Sequence, residues 1–271
     1  MNRQPILSIV TSCALFLFLL AGTVRAEPRE EPGSGSVTAA VPILAYHRFG
    51  PTAADQMTTP TAVFEAQLQY LRDHGYTVIP LRQVIDYLRR QAPAPPPRSV
   101  AITVDDGHRS VYAELFPLAQ KHRFPVTLFV YPSAISNAAY ALTWDQLRQM
   151  RDSGLFDIQS HTYWHPNFRQ EQRRLSAVDY EQLVTTQLTK SRHKLASELG
   201  GEIDLLAWPF GIHDPWLMQK AGDAGYLAAF TIEPHPATVT DDLMAIPRFL
   251  LTDATGVRGL AGILARSAAG R

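Results

Sequence analysis

The chain has 271 residues, 46% of them hydrophobic, and carries 25 Lys and Arg against 25 Asp and Glu. Length alone allows one large domain or two small ones, and the balanced charge argues against nucleic acid or another polyanion as the main partner. A single cysteine leaves no room for a disulfide framework.

The N-terminus reads as a targeting segment. Arg3 supplies a positive start, residues 6–20 are strongly apolar, and Val24-Arg25-Ala26 suits a signal-peptidase site. The expectation is a signal peptide over 1–26 and an exported protein, periplasmic or secreted. The alternative is an uncleaved membrane anchor, because the apolar run is near the lower length for a span. Cleavage after Ala26 removes Cys13, so the mature chain has no thiolate nucleophile. Residues 27–40 have no apolar face and read as a flexible linker.

From residue 41 to 271 apolar runs alternate with amphipathic ones. Segment 41–46 reads as a strand running into His47. Segment 61–74 reads as a helix, with Phe64, Leu68 and Leu71 at helical spacing and Gly75 as its stop. A short strand at 76–79 and a short helix at 81–90 follow. The β-branched run from Val100 to Val104, closed by Asp105, Asp106 and Gly107, reads as a buried strand. Next come a helix at 108–122, a strand at 126–131, a helix at 143–153 capped by Thr143, and a strand at 155–159. The longest helix spans about 176–199; Ser176 with Asp179 resembles a capping box, and Tyr180, Leu183, Val184, Leu188, Leu195 and Leu199 form its stripe. A strand at 205–208, a helix at 215–224, strands at 226–230 and 245–249, and a helix at 256–266 complete the chain. Strands alternating with helices imply an α/β fold with a parallel sheet curled into a barrel of seven or eight strands.

Two stretches carry chemistry. Asp105 and Asp106 lie at the carboxyl end of a strand, where parallel α/β folds bind ligands. Successive strand residues face opposite sides, so one carboxylate can serve a metal and the other a proton transfer. The pair also suits an ordinary Asp-Gly turn, and by itself does not choose. The second stretch, Ile158 to Pro166, begins as a strand end and holds His161 and His165 four residues apart. Pro166 disfavours helical geometry at His165, so a loop or single turn is expected. One Asp and two His make a three-ligand set that leaves positions open for water and substrate.

Thr103-Val-Asp-Asp-Gly107 resembles the first motif of the polysaccharide deacetylases (carbohydrate esterase family 4), and His161-Thr-Tyr-Trp-His165 the second. Ala207-Trp-Pro-Phe-Gly211 resembles the third in a variant form. The resemblance runs over about 41–249. With Ala45-Tyr-His-Arg48, it is nearest to the branch acting on poly-β-1,6-N-acetylglucosamine. It implies a distorted, incomplete (β/α) barrel of about seven parallel strands. It also implies metal-dependent hydrolysis of N-acetyl groups on an N-acetylglucosamine-containing polysaccharide, releasing acetate. Carried over, Asp106, His161 and His165 would hold a divalent metal, zinc by default. Asp105 would be the general base that takes a proton from the attacking water, and the backbone N–H of Phe210 an oxyanion donor.

Two departures accompany the resemblance. Ala207 stands where many members carry an arginine that orients the base; Arg248 is the candidate substitute, the alternative being a plain salt bridge. The family's terminal Leu-x-His, whose His protonates the leaving amine, has no counterpart after Arg248, and His213 and His235 are the candidate stand-ins. Substrate contacts are expected from His47, Trp164, Trp208 and Pro209, with Trp164 the foremost sugar-stacking platform. Trp144 is expected in the core, and Tyr131 and Asp145 in structural roles. The expected partner is the polysaccharide, with an association to the cell envelope and a monomeric chain. Competing readings are a non-catalytic glycan-binding relative, a barrel glycosidase using Asp105 and a distant carboxylate, and an amidase acting on a small cytosolic amide.

Overall fold

The computed structural model describes residues 39–269; the expected signal peptide at 1–26, its anchor alternative and the linker up to residue 38 lie outside them. Among the described residues no helix is long and apolar enough to cross a membrane. In chain order the strands are β1 (Ile43–Tyr46), β2 (Arg48–Gly50), β3 (Thr58–Pro60), β4 (Thr77–Val78), β5 (Ser99–Val104), β6 (Val126–Val130), β7 (Phe156–Ser160), β8 (Leu205–Ala207), β9 (Ala228–Phe230) and β10 (Phe249–Leu250). The α-helices are α1 (Thr61–Asp73), α2 (Leu81–Leu88), α3 (Phe116–His122), α4 (Trp144–Asp152), α5 (Phe168–Arg174), α6 (Ala177–Leu199), α7 (Pro215–Asp223) and α8 (Val257–Ala269).

Seven strands follow one another in the order β10-β1-β5-β6-β7-β8-β9, with β4 pairing β5 off this path. Every pairing is parallel. Between β9 and β10 the ring is spanned by the single bridge Phe230–Ile246. The molecule is therefore the incomplete (β/α) barrel that the alternating pattern and the resemblance imply.

The two-residue period of the strands sorts their side chains into two cores. Val100, Ile102 and Val104 of β5, Val126, Leu128 and Val130 of β6, and Phe156 and Ile158 of β7 share one cluster with residues of α1, α3 and α4. Their alternates, Ala101 and Phe129, cluster instead with Ile43, Leu205, Ala207, Ala228 and Phe230 inside the curl of the sheet. This parity decides which residues reach the functional cleft.

Several elements depart from the expected boundaries. The helix expected at 108–122 opens as a wide π-type turn over Val111–Leu115 and becomes α-helical only at Phe116. Pro117 lacks the N–H that a regular turn needs there, and widening accommodates the gap. The last strand is not 245–249 but β10, two residues long. Pro247 cannot donate to a ladder, so Ile246 bridges β9 and Phe249 pairs Leu44 of β1, with the proline between them. The parallel β2–β3 pair and α5 were not expected; each is too short to show a period, although Asn167 caps α5 by accepting the Gln170 N–H. Thr143 caps α4 in a reciprocal box with Gln146. Ser176 accepts the Asp179 N–H but donates its hydroxyl to the Asp179 carboxylate, so that cap is not a reciprocal backbone box.

Candidate metal and catalytic site

The carboxyl ends of the strands converge on a cleft of about 470 Å³ lined by His47, Arg48, Met57, Asp105, Asp106, Tyr131, His161, His165, Trp208, Phe210, Gly211, Ile232 and Leu250. Strand parity explains four of these. His47, Asp105, Tyr131 and His161 immediately follow β1, β5, β6 and β7. They continue the faces of Ile43, Ala101 and Phe129 that point inward. A hollow of comparable size at the other ends of β1 and β5 is lined by Ala39, Pro95, Pro96 and their neighbours; among the described residues it brings together no metal-ligand cluster.

Asp106 leaves the strand with φ +76°. Its carboxylate faces the two histidines, while Asp105 Oδ2 lies 4.0 Å from His161 Nε2. Its Oδ1 lies 3.7 Å from His161 Nε2 and 3.8 Å from His165 Nε2. One ligand atom from each of the three residues lies within 4.8 Å of the others. The buried His161 ring sets Nδ1 2.7 Å from the Ala207 carbonyl. A carbonyl only accepts, so Nδ1 carries the proton and Nε2 presents its lone pair to the cluster. Burial, together with neighbouring His161, pulls the His165 imidazole down to about 4, against Asp106 and Asp105. That ring is neutral at pH 7 and free to donate its lone pair. Two imidazole nitrogens and one carboxylate oxygen fit a first-row divalent cation such as zinc better than the all-oxygen demand of calcium or magnesium.

Asp105 has a different environment. It is buried, and Arg248 grips it in a fork: Nη1 to Oδ1 at 2.8 Å and Nη2 to Oδ2 at 2.7 Å. Arg248, fully buried, also donates to Thr103 Oγ1 and to the Thr231 carbonyl, both at 3.0 Å. Its guanidinium carbon lies 5.3 Å from the centre of the Phe129 ring. Burial pushes the Asp105 carboxyl up, but the charge and hydrogen bonds of Arg248, with His161, outweigh it and hold the group well below the usual carboxylate range. Ala207, the small residue at the variant third motif, belongs to the same inner cluster as Phe129 and Phe230. The arginine comes instead from the segment entering β10. A bidentate guanidinium still leaves one acceptor lone pair on each carboxylate oxygen.

The third-motif turn follows β8. Gly211 N–H donates to the Trp208 carbonyl and Ile212 N–H to that of Pro209, so the Phe210 N–H stands outside the turn's own hydrogen bonds. Phe210 has φ +58° and is 57% exposed, with its ring 4.6 Å from that of His165. Tyr131 faces the cleft with its hydroxyl 3.0 Å from that of Tyr140. Burial and this hydrogen bond hold its phenol well above the usual range, so it stays neutral.

The other expected residues divide. His47 lines the cleft, its Nδ1 buried without a hydrogen-bond partner among the described residues, and burial lowers its pKa. Trp208 lines the cleft while almost wholly buried, its indole N–H donating to the Met244 carbonyl. Pro209 is buried and Trp164 is 41% exposed; neither is among the residues lining the cleft. His213 and His235 are also outside the lining. His213 Nδ1 is 3.0 Å from the Gly211 carbonyl, and both imidazoles approach Glu233. Tyr131 was expected to be structural, and Arg48, Met57, Ile232 and Leu250 carried no expected role; for Tyr131, its place directly after β6 was the available signal.

Comparisons with known proteins give the family and the fold. The sequence profile of the polysaccharide deacetylase family matches residues 92–229. The poly-β-1,6-N-acetyl-D-glucosamine N-deacetylase of Escherichia coli K12 is 24% identical over 246 residues, covering 78% of this chain and 36% of that protein. The enzyme of the same name from Staphylococcus epidermidis is 26% identical over 194 residues, covering 70% of this chain and 66% of its own length. This chain thus matches about a third of one of these relatives and just under two thirds of the other. The structure of IcaB from Ammonifex degensii superimposes with a TM-score of 0.72 at 25% identity, covering 83% of this chain and 97% of that one.

Proposed function

The chain belongs to the polysaccharide deacetylase family, and on that premise we propose that it hydrolyses N-acetyl groups on a β-1,6-linked N-acetylglucosamine polymer, releasing acetate with the help of a divalent metal. The observation that carries the reading is the division of labour between adjacent carboxylates: Asp106 beside two imidazole lone pairs, Asp105 locked to Arg248. Asp106, His161 and His165 would hold the cation, zinc by the character of the donors. When bound, such a cation polarises the acetyl carbonyl and eases deprotonation of water at the site.

The rest is performed by the chain itself. Arg248 keeps Asp105 ionised and fixes its plane, so a remaining lone pair accepts the proton of the attacking water. The Phe210 N–H donates to the developing oxyanion; such a donor is worth about 2.7–4 kcal/mol. Asp105 then returns its proton to the leaving amine, which closes the proton balance without His213 or His235. His47, Tyr131, Trp208 and Phe210 shape the sugar pocket, and Trp164 and Pro209 keep at most an outer contact. The glycan-binding alternative rests on Ala207 standing in place of an arginine and on the missing terminal histidine; the Arg248–Asp105 fork answers the first, and proton return by Asp105 would answer the second. The glycosidase alternative needs a second carboxylate across the cleft, whereas the lining carboxylates are the neighbours Asp105 and Asp106. An export signal over 1–26 fits a polymer outside the cytoplasm and a place at the cell envelope.

The test is acetate release from N-acetylglucosamine polymers of defined linkage, with and without chelator. Release from the β-1,6 polymer that chelator abolishes supports the reading. Chelator-insensitive release, or release of reducing ends instead of acetate, overturns it.

A further inference from the structure

The loop that carries the two histidines cannot hold its own shape. Thr162 and His165 both have positive φ, +64° and +62°, a conformation that costs a non-glycine residue about 1–3 kcal/mol unless its surroundings impose it. Its backbone N–H groups show what imposes it. The Thr162 N–H goes to Ser160 Oγ and the His165 N–H to Thr162 Oγ1, both local contacts at 3.2 Å. The two between them, Tyr163 and Trp164, converge on one atom from elsewhere in the fold, Oε1 of Gln187, at 3.1 and 2.9 Å. Two consecutive N–H groups following a left-handed residue form a concave donor pair that calls for an oxygen acceptor. Gln187 is 1% exposed, and it comes from the middle of α6. One helical turn on, Ser191 Oγ lies 2.8 Å from Ser160 Oγ, which also accepts from the Tyr226 hydroxyl. Helix α6 thus buries a short polar stripe against the ligand-bearing end of β7.

We propose that Gln187 is a positioning residue for the metal site: its carboxamide oxygen clamps the 161–165 loop and holds the His165 ring at the distance from Asp106 and His161 that a shared cation needs. The inference rests on reading Asp106, His161 and His165 as the metal set. Gln187 touches neither substrate nor metal; it acts through the backbone between the two ligands.

The experiment compares the full chain with Gln187→Leu, which removes the acceptor; Gln187→Asn, which keeps a polar group but withdraws it by one methylene; and Gln187→Glu, which keeps the acceptor. Two readouts are taken: zinc affinity by competition with a chromophoric chelator, and amide exchange at Tyr163 and Trp164 in the metal-free protein. Loss of an outer partner of a metal ligand costs about 10–100-fold in affinity. Gln187→Leu and Gln187→Asn are expected to fall in that range and to lose protection at both amides, while Gln187→Glu stays near the parent in both. The asparagine variant carries the comparison if the leucine variant fails to fold. Unchanged zinc affinity and unchanged amide protection in Gln187→Asn overturn the proposal. A parent that binds no zinc overturns the metal reading itself, and the amide protection then reports separately on the clamp.

Discussion

The most telling residue-scale feature is the difference between two neighbouring aspartates. Arg248 and Asp105 are both buried and form a fork with both oxygens engaged. Removing one partner of such a pair leaves an uncompensated charge in the interior and costs about 3–5 kcal/mol. Arg248→Met is therefore expected to lose about that much stability in urea unfolding, and Arg248→Lys to recover only part, since an ammonium cannot make the fork. A loss below about 1 kcal/mol would mean that the pair does not hold the site together. Asp105→Asn leaves the ligand set intact; it is expected to keep zinc affinity while acetate release falls about 10²–10⁴-fold. The spacing of Asp106, His161 and His165 was readable from the sequence because each follows, or lies close after, a recognisable strand. Arg248 was readable only as a substitute for something absent at Ala207. The place of Tyr131 in the cleft was readable from its position directly after β6, whereas the absence of Trp164, His213 and His235 from the lining was not, because it depends on where loops fold over the rim rather than on any local period.

At the scale of elements, one alternation does most of the placing. Ala101 and Thr103 of β5 share a face that Asp105 continues just beyond the strand, and Asp157 and Gln159 of β7 one that His161 continues. A one-residue slip in either strand would send the functional side chain to the helix layer. After β8 the turn through Phe210 and Gly211 is fixed by close approach: a Cβ at Gly211, with φ +66°, would lie 2.6 Å from Ile232 Cγ1. Gly211→Ala is expected to cost about 1–3 kcal/mol and to lower kcat for acetate release, because the neighbouring Phe210 N–H moves with the turn. Unchanged kcat in a folded variant would remove Phe210 from the oxyanion role. The long elements were legible: α6 declared its cap at Ser176 and its stripe. Its buried positions, however, include Gln187 and Ser191, which an apolar stripe passes over. The π-type turn before α3 and the two-residue β10 were not legible, since each depends on how the chain accommodates a proline, at Pro117 and Pro247.

For the whole molecule, the alternation of strands and helices pointed to a parallel sheet curled into a barrel and the family resemblance to its being incomplete, and the barrel's carboxyl rim then specifies where chemistry gathers. The same burial makes the metal-free protein acid-sensitive. Desolvation lowers the pKa of His47, His108 and His165 in the folded chain, so the unfolded chain takes up protons first. By linkage, stability is full above the unfolded histidine value of 6.5 and falls as pH drops below it. Asp105, whose pKa is depressed by Arg248, adds a further loss only below the unfolded value of 3.8. Urea unfolding of the chelated protein is expected to show a declining midpoint from pH 7 to pH 5; a flat profile would mean that these histidines are not desolvated. The proposed hydrolysis turns on one cation held by Asp106, His161 and His165. It is tested most directly by adding zinc stepwise to the chelated full chain and measuring acetate release from β-1,6-linked poly-N-acetylglucosamine against zinc bound. Release is expected to rise in proportion to bound zinc and to level off at one equivalent per chain; release independent of zinc, or none at full occupancy, overturns the metal assignment.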